Sequence, residues 1–152
     1  MKMHTIGLAL ALIAVLAATD GDVRDALERG NAHFEQGLYQ EALDAFDEAA
    51  ESADESLRAE LLHNRAAAQF KLGHTDDARE LWVRSLPIRD EPFEARGRYN
   101  LGNCDYADAL AALEAQDANK ALELLDVATD QYRQAIRLDP ELANARANLE
   151  LA

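Results

Sequence analysis

Apolar and small residues recur every three or four positions along most of this chain, in segments separated by short polar breaks. The segment with Ala42, Leu43 and Phe46 follows the break Gln36-Gly37-Leu38-Tyr39. A spacing of three and four places apolar residues on one stripe of an α-helix. Gly37 suits the left-handed residue that often ends a helix, so the pattern predicts a helical hairpin.

The hairpin pattern returns after a fixed interval. Three sets of residues repeat every 36 positions: Gly30, Ala66 and Gly102; Ala32, Ala68 and Cys104; and Phe34, Phe70 and Tyr106. A period of this length is typical of helical arrays, in which each unit buries its apolar face against its neighbours. A second hairpin is predicted over about 57–86, with Gly73 at its turn, and the two prolines Pro87 and Pro92 indicate a link over 88–93.

The third unit is longer than the first two. Tyr132 lies 50 positions after Trp82 rather than 36. Fourteen extra residues correspond to about four turns of α-helix, so each helix of this hairpin is expected to gain about two turns. Four leucines continue its apolar stripes: Leu110, Leu113, Leu122 and Leu125. The only polar break between them is Gln116-Asp117-Ala118-Asn119, and a last helix after Pro140 is expected to act as a cap.

This combination of residues resembles the tetratricopeptide repeat, or TPR. The residues that carry the resemblance are Gly30, Phe34, Gly37, Tyr39, Ala42, Phe46 and Ala49 in the first unit; Ala66, Phe70, Gly73, Ala78, Trp82 and Ser85 in the second; and 98–103 with 132–140 in the third. The expected fold is all-α, a right-handed α-solenoid of three helical hairpins with the third elongated. Its units span about 23–56, 57–94 and 95–140, and the capping helix spans 141–152.

The resemblance implies a binding groove, because the first helix of each TPR hairpin lines a concave surface that receives an extended peptide. The groove residues that map onto this chain are Asn31, Phe34, Asn64, Phe70, Arg96, Tyr99, Asn100, Asn103 and Tyr106. Asparagine side chains can pair with both the N–H and the C=O groups of an extended ligand. Aromatic rings add apolar contact area at small entropic cost.

Some TPR proteins hold the C-terminal carboxylate of their ligand in a clamp of cationic and amide side chains. Asn31, Asn64 and Arg96 match three clamp positions, whereas Leu27 and Asn100 replace two of the cations. Asparagine is also the ordinary residue of the repeat at these places, so carboxylate capture and simple backbone recognition both stay open.

Composition narrows the classes of function. The chain has 152 residues, of which 49% are apolar, and a net charge of -14. That charge disfavours nucleic acid and anionic lipid, which need clustered Lys and Arg. The four histidines have no metal-ligand spacing, and no phosphate loop or nucleophile motif is present. The sequence therefore predicts a protein that is not an enzyme and that needs no cofactor or metal.

Two further features have simple structural interpretations. Cys104 is the only cysteine and is expected to lie in the core rather than to act as a reactive thiol. The acidic residues of the second helix and the pair Asp105 and Asp108 are expected to form solvated faces.

The N-terminal segment differs from the rest of the chain. Lys2 precedes the apolar run 6–18, which is too short to span a membrane as a helix and ends near a small-residue cleavage site. We expect residues 1–18 to be a signal peptide, which places the protein in the periplasm or on the outer face of the cytoplasmic membrane. The alternatives are an uncleaved anchor, which would be the only membrane attachment, and a buried helix.

The third unit and the C-terminal residues 148–152 also resemble the short repeat proteins of bacterial aerotolerance-type operons, which work beside von Willebrand A-domain proteins. This resemblance implies a non-catalytic adaptor that binds a protein or peptide partner in its groove and helps to assemble a cell-envelope complex. The alternative is a structural module that self-associates into a homo-oligomer through the elongated third hairpin and the C-terminal helix.

Overall fold

The computed structural model describes residues 21–88 and 90–152. The predicted signal peptide lies outside these residues. Seven α-helices occur in the part of the chain that is described. They are α1, which covers 21–35, α2 (Tyr39–Ser52), α3 (Glu55–Lys71), α4 (Thr75–Ser85), α5 (Glu91–Glu114), α6 (Ala118–Leu138) and α7 (Ala143–Leu151). A short 3-10 helix, Leu86–Ile88, follows α4.

The helices pair into three consecutive hairpins, α1 with α2, α3 with α4, and α5 with α6, and α7 packs on α6. The all-α fold with an elongated third hairpin and a capping helix is therefore confirmed. Gly37 and Gly73 have φ values of 77° and 85° at the first two turns, where glycine avoids the strain of a side chain. The third turn uses Gln116, at φ 62°.

Aspartate side chains fix the starts of three helices. Asp54 accepts hydrogen bonds from backbone N–H groups at the start of α3, Asp90 does so for α5, and Asp117 for α6. The link after α4 is shorter than the sequence indicates, because α5 already begins at Glu91. Pro92 lies in the first helical turn, where its missing N–H would have no partner inside the helix.

Within the hairpins, a small residue of the first helix faces an aromatic ring of the second. A Cβ atom placed on Gly30 would lie 2.5 Å from Cδ1 of Phe46, and one on Gly102 would lie 2.6 Å from Cε1 of Tyr132. The second hairpin has Ala66 and Trp82 at the equivalent positions, in one buried cluster. This pairing allows the two helices of a hairpin to approach closely.

Ala32, Ala68 and Cys104 occupy the same position of the repeat, and their burial differs according to whether another unit precedes theirs. Ala68 is buried in the cluster that joins the first two units, and Cys104 in the cluster that joins the second and third. Ala32 is exposed, because no described unit precedes the first one. Burial raises the pKa of the Cys104 thiol to about 12, which agrees with its predicted place in the core.

The third hairpin is taller than the others. Helix α5 has 24 residues against 17 in α3, and α6 has 21 against 14 in α2. The added turns keep Ala109 and Ala121 buried between the two helices. Leu110, Leu113 and Leu122, however, are 44%, 50% and 63% exposed. The apolar stripe thus continues beyond the surface that the second hairpin covers.

The expectation that Asp105 is solvated is wrong. Asp105 is 3% exposed, and it pairs with Arg79 of α4, which also contacts Asp108 at 2.5 Å. Burial raises the pKa of Asp105, although the hydrogen bond and the charge of Arg79 oppose this effect. The guanidinium comes from the neighbouring hairpin, which is why the sequence around Asp105 does not reveal the burial.

The close approach of helices within a hairpin gives a stability prediction. We expect Gly30→Ala and Gly102→Ala each to lower the free energy of unfolding by about 1–3 kcal/mol, because the methyl group overpacks a buried ring. Chemical denaturation followed by circular dichroism measures this change. The control is Gly21→Ala, whose Cβ would meet nothing within 4 Å. Equal stability of Gly102→Ala and the native chain would contradict the packing argument.

Candidate functional site

The first helices of the first two hairpins meet through an amide pair. Nδ2 of Asn64 donates a hydrogen bond to Oδ1 of Asn31 at 3.2 Å. Asn31 is exposed and Asn64 is half-buried, so each keeps other donor and acceptor positions. The two amides, with Phe34, Phe46 and Ala67, line a small cavity of about 50 Å³. Two of the predicted groove asparagines are thus adjacent across two repeats.

A larger cavity of about 330 Å³ adjoins this one, and Asn64 lines both. Its other lining residues are Glu60, His63, Phe93 and Arg96. The guanidinium of Arg96 lies over the ring of Phe93, 5.5 Å from its centre. The cavity therefore offers a cation, a carboxylate, an amide and an apolar ring to one ligand segment. We call the residues that line these two cavities the groove surface.

His63 is the most perturbed ionisable group of the groove surface. Burial, helped by the charge of Arg96, lowers the pKa of His63 from its ordinary 6.5 to about 4. Its ring packs against Phe93 and Trp82, with ring centres 5.3 Å and 6.2 Å away. Nδ1 of His63 is buried and has no hydrogen-bond partner among the described residues. At neutral pH the groove surface thus contains an uncharged imidazole with one unused polar atom.

In the third unit, Asn103 has a structural role that the sequence does not reveal. Its Oδ1 accepts hydrogen bonds from the Tyr132 hydroxyl at 3.0 Å and from Nδ2 of Asn148 at 2.8 Å. These bonds tie α5 to α6 and to the capping helix α7. Tyr99 packs against Tyr132 with ring centres 6.1 Å apart, so this part of α5 is committed largely to internal contacts.

The remaining predicted groove residues are all partly buried. Phe34 packs edge-on against Tyr39, with ring centres 5.3 Å apart, and Phe70 packs against Trp82 at 5.8 Å. Both rings therefore support the helical packing, but only Phe34 lines the groove surface, since Phe70 lines neither of its two cavities. Asn100 and Tyr106 are half-buried on α5.

Sequence reasoning missed Glu60, His63 and Phe93 as members of the groove surface. The 36-residue register contained the signal for two of them, since it aligns Glu60 with Arg96 and His63 with Tyr99. Phe93 lies at the start of α5, inside the segment that the prolines marked as a link. Its place in the cavity follows from the early start of α5 at Glu91.

Over residues 21–88 and 90–152, no group of three or more His, Cys, Asp or Glu side chains could hold a metal ion. In the same residues, none of the helices combines the length and the apolar character that crossing a membrane requires.

No protein-family model matches this chain, and a comparison with curated protein sequences gives no match. Solved structures do match it. The first TPR domain of Spaghetti (RPAP3), bound to the HSP90 peptide SRMEEVD, has a TM-score of 0.66 and 21% identity, over 86% of this chain and 90% of that one. The TPR domain of Arabidopsis OM64 has a TM-score of 0.64 and 19% identity, over 85% and 92% of the two chains.

MamA gives a further match, with a TM-score of 0.62 and 20% identity, over 91% of this chain and 70% of that one. Identities at this level establish similarity of fold. The chain therefore has the α-solenoid fold of TPR domains. All residues of the groove surface except Phe46 lie on the first helices of its hairpins.

The buried imidazole predicts an acid-dependent loss of stability. Between pH 6.5 and pH 4 the unfolded chain binds a proton at His63 that the folded protein does not bind. Stability must therefore fall as the pH decreases through this window, by about 3 kcal/mol for a pKa difference of this size. In urea denaturation at several pH values, the free energy of unfolding should fall less with decreasing pH for His63→Gln than for the native chain.

NMR titration of the histidine ring protons gives the direct check. A His63 signal that titrates near pH 6.5 would contradict the proposed environment of this ring.

Proposed function

We propose that this chain is a non-catalytic adaptor that binds an extended segment of a partner protein on the groove surface. The observation that carries the proposal is the adjacency of Asn31, Asn64, His63 and Arg96 on neighbouring first helices. Phe34 and Phe93 line the same two cavities as these polar groups. Such a strip pairs with the backbone of an extended peptide while aromatic rings contact its side chains.

Solved structures of the same fold support this proposal. The first TPR domain of Spaghetti is bound to an HSP90 peptide, and the second TPR domain of human RPAP3 is in complex with the HSP70 peptide SGPTIEEVD. The second of these has a TM-score of 0.63 and 18% identity to this chain.

The finer proposal concerns the cellular location of the protein and the identity of its partner. The adaptor is exported through its N-terminal segment and works at the cell envelope, where it helps to assemble a complex with a von Willebrand A-domain protein. The support is the signal-like order of residues 1–18 and the resemblance of the third unit to operon-encoded repeat proteins. Detection of the full-length chain in the cytosolic fraction alone would contradict export.

Peptide selection tests groove binding. Peptides selected from a random display library against the full chain should lose affinity for Asn64→Ala by about tenfold, since one or two ligand hydrogen bonds are lost. Fluorescence anisotropy with each labelled peptide measures the affinity. Asn119→Ala is the matched control, because Asn119 is exposed at the start of α6, away from the groove surface. Equal affinities for Asn64→Ala and the native chain would contradict the proposal.

Self-association is the second candidate function, and the exposed leucines of the third hairpin favour it. Leu110 and Leu122 stand six residues before and after Gln116, so the antiparallel helices bring them to the same height. Isolated apolar residues are common on protein surfaces, but a cluster on one protruding tip is typical of an interface.

The double variant Leu110→Ser with Leu122→Ser tests self-association. If the tip joins two copies, the dissociation constant should rise about hundredfold. The dimer would lose four leucines that are already about half-buried in each copy, and burial of the rest of each contributes about 0.75 kcal/mol. Sedimentation equilibrium measures this constant. Val83→Ser is the control, since Val83 is 53% exposed on α4, away from the tip. A native chain that stays monomeric at high concentration would rule out this candidate.

A further inference from the structure

A third cavity lies away from the groove surface, between the first and second hairpins. It has a volume of about 310 Å³, and its lining comes from the end of α2, the first half of α3 and the end of α4. On α3 it is lined by Arg58, Leu62 and Arg65, which point about 100–160° around the helix from Asn64. None of its lining residues contributes to the groove surface. We call it the outer pocket.

The outer pocket combines an apolar floor with a cationic rim. Leu61 and Leu62 in the floor are 2% and 4% exposed. The rim carries three guanidinium groups, those of Arg58, Arg65 and Arg84, and two carboxylates, those of Asp54 and Glu55. This clustering is unusual for a chain with 29 acidic and 15 basic residues, because it gathers three cations around one small cavity.

The carboxylates near the outer pocket leave these cations available. Asp54 caps α3 through its bonds to Ser56 and Leu57. Among residues 21–88 and 90–152, Arg58 and Arg84 pair only with exposed residues of their own helices, Glu55 at 3.2 Å and Glu80 at 3.6 Å. Exposed pairs of this kind contribute little to stability, so an incoming carboxylate can displace them.

Arg65 is held more firmly than the other two cations. Its Nε lies 2.5 Å from Oδ1 of Asp47 on α2, and its side chain is 29% exposed, against 55% for Arg58 and 51% for Arg84. A fixed guanidinium between two hairpins can receive an anion without further ordering, which favours binding. The two more exposed cations, Arg58 and Arg84, would then contact the same anion.

The geometry points to the outer pocket as a second binding site, for a peptide segment of a partner protein that carries a carboxylate side chain next to an apolar residue. The volume is at the lower limit for ligand pockets, about 300 Å³, which suits one or two side chains. Guanidinium groups pair with carboxylates through two parallel hydrogen bonds. Phosphates of nucleic acid do not fit a chain of net charge -14.

The inference goes beyond groove binding. A partner that used both surfaces would contact opposite faces of α3, and linking two weak contacts in this way raises the overall affinity. The acidic surface elsewhere on the chain repels a carboxylate, so the outer pocket also determines where an acidic segment binds.

The test uses the full chain labelled with ¹⁵N and the peptide acetyl-Leu-Glu-Leu-Glu-amide. We expect saturable shifts at Ala50, Ala53 and Leu62. Arg58→Gln combined with Arg84→Gln should weaken binding about tenfold, because charge-assisted hydrogen bonds are lost. The matched control, Arg133→Gln with Arg137→Gln, removes the same charge from exposed positions of α6 and should change affinity less than about twofold.

Three results would contradict the proposal that the outer pocket binds an acidic segment. They are equal binding of the Leu-Gln-Leu-Gln peptide, shifts confined to the groove surface, and no saturable shift. Near-UV circular dichroism checks that the double variant is folded. If it is not, binding to the native chain must still weaken when NaCl rises from about 0.05 M to about 0.5 M, and salt-independent binding counts against the site.

Two further measurements complete the test. The first distinguishes a side-chain carboxylate from a terminal carboxylate, and the second distinguishes the outer pocket from the groove surface. A peptide with a free C-terminus and glutamine side chains tests a terminal carboxylate, and binding of this peptide alone would replace the side-chain assignment. Asn64→Ala should leave binding of the acidic peptide unchanged. Failure of groove binding and failure of the outer pocket are thus distinguishable.

Discussion

In the first and third hairpins, an aromatic ring of the second helix occupies the space that a side chain of the first helix would otherwise fill. Phe46 lies against Gly30, and Tyr132 against Gly102. This contact fixes the separation of the two helices and so determines which faces remain for the neighbouring unit. The second hairpin reaches the same arrangement with Ala66 and Trp82. Each unit buries apolar surface against the next, so the order of the array depends on these contacts between the two helices of each hairpin.

The same arrangement separates the two surfaces that are proposed to bind partners. One face of α3 carries Asn64 and His63 toward the first helices of its neighbours, and the opposite face carries Arg58 and Arg65 toward α2 and α4. A single helix therefore contributes to two sites with different chemistry. The groove surface is rich in amides and aromatic rings, whereas the outer pocket is cationic. The elongated third hairpin adds a third, apolar surface at Leu110 and Leu122.

The sequence predicts the features that depend on local periodicity. The turn glycines Gly37 and Gly73 and the lengthening of the third hairpin follow from spacing alone. Features that depend on contacts between units were not predictable in this way. Asp105 is buried because Arg79 reaches it from another hairpin, and Oδ1 of Asn103 is occupied because α7 brings Asn148 to it. The register could have identified His63, but its perturbed pKa arises from tertiary burial.

The central claim is that the first helices of the hairpins form the peptide-binding surface. The most direct measurement is paramagnetic broadening of side-chain NMR signals by a selected groove peptide that carries a nitroxide label. If the peptide lies on the first helices, the amide signals of Asn31 and Asn64 broaden, while the Nε signals of Arg58 and Arg84 on the outer face do not. Broadening of the arginine signals with sharp asparagine signals would contradict the account.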